Sequence, residues 1–67
     1  MYAAFHVHKR GPEFWVVINS DTILTKEYGP HASAALANAD ADAKAAVMAA
    51  TRVATSDIDI YVVKLPV

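Results

Sequence analysis

A chain of 67 residues with no cysteine and a net charge of −1 excludes several classes at once. It is one domain, near the size at which a single core just holds a fold without disulfides, metal or a partner, and it has no disulfide framework, thiol nucleophile or thiolate metal site. Six Lys and Arg against seven Asp and Glu argue against strong electrostatic capture of nucleic acid or an anionic membrane, and equally against an acidic nucleic-acid mimic.

No apolar run reaches membrane-spanning length and no charged-then-apolar leader follows Met1, so the expectation is a cytoplasmic protein with no membrane partner. Tyr2 to Lys9 (YAAFHVHK) alternates, with Ala3, Phe5 and Val7 on one side and Tyr2, Ala4, His6 and His8 on the other, which predicts a half-buried strand. Arg10-Gly11-Pro12-Glu13 reads as a turn. Phe14 to Ile18 (FWVVI) is apolar at every position, the pattern of a central strand. After the turn formers Asn19-Ser20-Asp21, Thr22 to Tyr28 reads as a more polar strand suited to a sheet edge, ended by Gly29-Pro30.

The alanine-dominated run from His31 to about Thr55 predicts one long helix, opening near Pro30 or Ser33. Leu36, Ala43, Val47, Ala50 and Ala54 recur at helical spacing and form the expected inward stripe, with Met48 and Val53 at its margins. Asp40 and Lys44 make an i,i+4 pair in the favourable order. Asn38 to Asp42 is the weak point, where competing side chains could break the helix. Thr55-Ser56-Asp57 then turns into Ile58 to Leu65, with Ile58, Ile60 and Val62 alternating against Asp59, Tyr61, Val63 and Leu65.

The whole chain, residues 1–67, is thus expected to be a single α+β domain: a four-stranded mixed sheet, element order β-β-β-α-β, with one helix on one face. A right-handed crossover favours the fourth strand beside and parallel to the first, in the order 4-1-2-3. One sheet face is then left open. It would carry Tyr2, His6, His8, Tyr61, Val63 and Leu65, with either Trp15 and Val17 or Phe14, Val16 and Ile18. So apolar a surface predicts a protein partner, with self-association as a homodimer through that face.

His6-Val7-His8 sets two imidazoles on one side, a spacing able to chelate a metal, but no pattern fixes a third ligand from His31 or Glu13; no metal and no cofactor is expected. Serines without a glycine elbow and aspartates without a readable pairing give no catalytic constellation, so no enzyme is expected. His8-Lys9-Arg10 beside a turn, with Trp15 and Tyr28 nearby, sets cations and an aromatic at one end of the sheet, a basic corner that supports an alternative reading as a small nucleic-acid-binding domain. In the order of its elements over Phe5 to Ala46, the chain is similar to the three-stranded, single-helix DNA-binding domains of the AP2 and integrase-arm type. Those domains line their strands with Arg and Lys, whereas the second strand here has no cation and the third only Lys26.

In size and style the chain also resembles compact accessory proteins of phages and mobile elements, including anti-CRISPR-like inhibitors that bind host defence machinery. That resemblance implies a non-catalytic, inhibitor-type binding module. The residues expected at the contact are Tyr2, His6, His8, Lys9, Arg10, Trp15, Tyr61 and Val63, because aromatic residues and arginine dominate interface energetics.

Overall fold

A computed structural model describes residues 2–21, 25–52 and 59–67. Strands β1 (Tyr2–Arg10), β2 (Glu13–Ser20) and β3 (Lys26–His31) are followed by helix α1 (Ala34–Arg52) and strand β4 (Asp59–Val63). The sheet order is β3-β2-β1-β4, with β1 antiparallel to β2, β2 antiparallel to β3, and β4 parallel to β1. This is the expected α+β architecture, the last strand lying beside the first.

Local chemistry explains the elements. The β1–β2 hairpin closes on Arg10 opposite Glu13 through the two-residue loop Gly11-Pro12, and Gly11 takes φ 60, which a glycine adopts without Cβ strain. Phe5 stands opposite Ile18 on one side and Val62 on the other, so the alternations of β1, β2 and β4 fall into phase. Ala3, Phe5, Val7, Val16 and Ile18 therefore face α1, joined by the half-buried Phe14, Tyr28, Ile60 and Val62.

Ser33 caps the helix, its Oγ accepting from the Leu36 N–H at 3.2 Å. Pro30 does not open the helix. It lies inside β3, which runs through Gly29-Pro30 to His31 instead of stopping before them. An edge strand tolerates a residue without an N–H on its outer side.

The helix also turns a different face inward from the one expected. Ala37, Ala41 and Ala45 are buried against the sheet with Met48 beside them, while Leu36 and Val47 are 56% and 64% exposed. Small side chains let the helix axis lie close to the pleat, and Phe5 and Val16, the largest fully buried side chains, fill the space beneath. Val53 and Ala54 of the expected stripe, the turn Thr55-Ser56-Asp57, Ile58 and residues 22–24 lie outside the described residues.

α1 does not break at Asn38. That side chain is buried at 8% exposure and makes two bonds to one residue: Nδ2 donates to the Leu65 carbonyl at 2.7 Å and Oδ1 accepts from the Leu65 N–H at 3.1 Å. It competes for a backbone group, as its chemistry predicts, but that group belongs to the segment after β4 and not to its own helix. Leu65 is consequently drawn to the helix side of the sheet, away from the open face where alternation would set it.

Among the described residues, half of the ten buried apolar ones are alanine, so little side-chain area is buried per residue and Phe5, with Val16 the largest fully buried side chain, carries much of it. Phe→Ala in a core costs about 3–5 kcal/mol, against a total of roughly 3–10 kcal/mol for a domain of this size. Phe5→Ala is expected to lower the melting temperature by well over about 10 °C or abolish the cooperative transition, read by circular dichroism on heating.

Candidate functional site: the open sheet face

The register sends Trp15 and Val17, not Phe14, Val16 and Ile18, to the side away from α1. With Tyr2, Ala4, His6, His8, Arg10, Tyr61 and Val63 they make one face. Val17 stands between His6 and Glu27, and Ala4 between Asn19 and Tyr61; these taller neighbours keep both largely from solvent. Around that floor Tyr2, Tyr61 and Val63 are 41%, 53% and 49% exposed. The His6 and His8 rings stack with centroids 5.8 Å apart.

One end of the face is closed by a clasp across three strands. Arg10 of β1 reaches over the Trp15 indole of β2, 5.3 Å from the ring centroid, and donates from both terminal nitrogens to Glu27 of β3 at 3.0 and 2.8 Å. The Trp15 Nε1–H donates to Glu13 at 3.2 Å. Beneath the indole lies Gly29, where a Cβ would come 2.7 Å from one indole carbon, 2.9 Å from a second and 3.2 Å from the Phe14 carbonyl oxygen. Gly29 is therefore required by close approach.

The two hydrogen bonds from Arg10 hold the Glu27 carboxyl below its ordinary range; they outweigh the opposing effect of burial, and the Arg10 charge adds a lesser pull in the same direction. The same bonds raise the Arg10 guanidinium. Both side chains are nearly half exposed, so the clasp orients the indole more than it stabilises the fold.

The expected contact residues thus separate. Tyr2, His6, His8, Arg10, Trp15, Tyr61 and Val63 share the open face. Lys9 does not, because strand alternation sends it to the helix side, where its Nζ lies 6.0 Å from the Phe14 ring centroid. The basic corner is therefore split between two faces, and its one cation on the open face is paired with Glu27. His31 also lies on the helix side. Its Nδ1 meets the Phe14 carbonyl at 3.2 Å and its Nε2 meets Asp40 at 3.1 Å, while Lys44 donates to the other Asp40 oxygen at 2.8 Å and sits 4.5 Å from the Tyr28 ring centroid.

His31 is thereby separated from His6 and His8 by the sheet, and Glu13 is bonded to Trp15. Among the described residues no three His, Asp or Glu side chains come together to hold a metal. Nor, among them, is any helix long and apolar enough to cross a membrane. Neither the Arg10–Glu27 clasp nor the His31–Asp40 contact has a periodic signal in sequence; only the Asp40–Lys44 pair does.

Comparison with protein-family models, curated proteins and solved structures gives no significant match.

Two outcomes test this geometry, both read from the emission of Trp15, the chain's single tryptophan. Gly29→Ala is expected to displace the indole, shifting its emission to the red and destabilising the fold by about 1–3 kcal/mol. Because the Glu27 carboxyl is depressed, the clasp is complete above the ordinary glutamate range and is lost only as pH falls through the lowered value. A fluorescence titration should therefore show a step below the ordinary glutamate range, and Glu27→Gln should remove it.

Proposed function

We propose that this chain is a non-catalytic protein-binding module that presents its open sheet face to an apolar, uncharged surface of another protein. The observation that supports the reading is the contiguous face of Tyr2, His6, Trp15, Tyr61 and Val63 around a floor of Ala4 and Val17, with Arg10 paired to Glu27 and Glu13 bonded to the indole at the rim. A surface built this way gains affinity from aromatic area and shape, because the cation that could attract a charged ligand is engaged by Glu27. The inhibitor-type role in the cytoplasm, expected from size and style, fits such a face: binding alone would suffice to block a partner's site.

The nucleic-acid alternative would need Lys9 and Arg10 to act together. Their separation onto two faces weighs against it.

The test is a binding assay with the immobilised protein and cell extract, followed by the purified captured protein. Capture should survive a rise in salt from about 0.05 to 0.5 M and be lost in Tyr61→Asp and His6→Asp with helix content unchanged. Affinity that collapses with salt would instead favour nucleic acid, and capture indifferent to both substitutions would remove the open face from the function.

A further inference from the structure

We propose that a second copy of this chain pairs with the outer edge of β4, antiparallel about a two-fold axis through Tyr61, so that two four-stranded sheets become one of eight strands. This goes beyond the open face as a contact surface and does not depend on it. It starts from the difference between the two edges of the sheet.

The β3 edge carries Pro30, which has no N–H, the charges of Lys26 and Glu27, and a register shift against β2 between Phe14 and Val16. Each of these deters a further strand. From Ile60 to Val63, β4 has no proline, glycine, charge or register shift against β1. Those four residues have high strand propensity, and among the described residues no strand pairs with their outer side.

Geometry then selects the register. An axis perpendicular to the sheet keeps each face on its own side, so residues directly opposite must both be odd-numbered or both even-numbered. An axis through Tyr61 sets Ile60 against Val62 of the second copy and Asp59 against Val63, leaving none of the five strand residues unpaired. Moving the axis to Ile60 leaves Val62 and Val63 without partners among the described residues. Moving it to Val62 brings Lys64 into the ladder, although that side chain is held by Asp42 at 3.2 Å.

In the chosen register the half-buried Ile60 and Val62 receive the second copy's Val62 and Ile60 against their flanks, on the side of the helices. The two Asp59 residues stand four positions apart across the axis, about 14 Å, beyond a physiological screening length of about 8 Å. The strand thus matches its own copy in length, makes the apolar Ile60–Val62 contact twice and keeps its one charge away from its like, which favours a second copy over a foreign strand. The two open faces become one continuous surface, with the Tyr61 rings adjacent at its centre.

Because the chain has no cysteine, single cysteines report the register cleanly. Tyr61→Cys places two thiols opposite each other with Cβ atoms roughly 4.5–5.5 Å apart, within reach of a disulfide after small adjustment. Val63→Cys leaves them about 14 Å apart. Under mild oxidation Tyr61→Cys is expected to give at least about tenfold more disulfide-linked dimer than Val63→Cys, with wild-type circular dichroism and with light scattering of the wild type rising toward twice the monomer mass as concentration increases. In the unmodified protein, amide exchange within Ile60–Val63 should slow with concentration while that of β3 does not change, a measurement independent of any substitution. Equal cross-linking at the two positions, cross-linking at His6→Cys without Tyr61→Cys, or a monomeric mass at every concentration would each overturn the proposal. The second of these would show stacking of the open faces, so that failure of the edge pairing is distinguishable from failure of the face.

Discussion

The structure depends on how closely an alanine-faced helix can lie on a sheet. Ala37, Ala41 and Ala45 bring α1 down onto β1 and β2, and the contact is thin enough that Phe5 and Val16 fill it. A helix with larger inward residues would stand higher and leave space that a chain of this length has few side chains to fill. The close approach also explains why Leu36 and Val47 stay outside and why a single polar residue, Asn38, can reach from the helix to the backbone of Leu65. With one helix and one sheet, a two-layer body has one sheet face without a layer of its own. The open face is thus a consequence of the architecture, whatever its use.

On that face, the clasp charges are gathered at one end, away from the centre. The centre holds Tyr61, His6 and Val63 over Ala4 and Val17, while Arg10, Glu13 and Glu27 are gathered around Trp15 at one end. Arg10 and Glu27 pair in place and Glu13 holds the indole N–H, which together fix the largest ring of the chain against the backbone at Gly29. A rigid aromatic anchor loses little conformational freedom when it is buried, which is the property that favours tryptophan at contact centres.

Much of the fold was legible in the sequence, for identifiable reasons. β1 and β4 alternate because each is apolar mainly on one side, and period-two patterning survives without any knowledge of partners. β2 does not alternate, since all five residues of FWVVI are apolar; only its pairing with β1 decides that Trp15 faces out. The helix was legible as a helix but not in its orientation: alanines carry almost no amphipathic amplitude, so the few larger residues mark the wrong side. Gly29-Pro30 read as a strand end because both residues are turn formers, although the strand read as an edge, where a residue without an N–H is tolerated. The aromatic and histidine part of the site was visible as alternation. The clasp was not, because Arg10, Trp15 and Glu27 meet only through the register of three strands, and Lys9 was grouped with Arg10 by adjacency although a strand turns neighbours to opposite faces.

The parallel pairing of β4 with β1 sets an order of events for folding. Tyr2 pairs with Asp59, a separation of 57 residues, whereas Arg10 pairs with Glu13 across two. The β1–β2 hairpin can close early and at small entropic expense, but β1 acquires its second neighbour only when the far side of the helix has been delivered to it. Until then the strand that becomes interior to the sheet has one side unoccupied. β1, placed in the interior of the sheet, must therefore wait for β4, which is made more than fifty residues later.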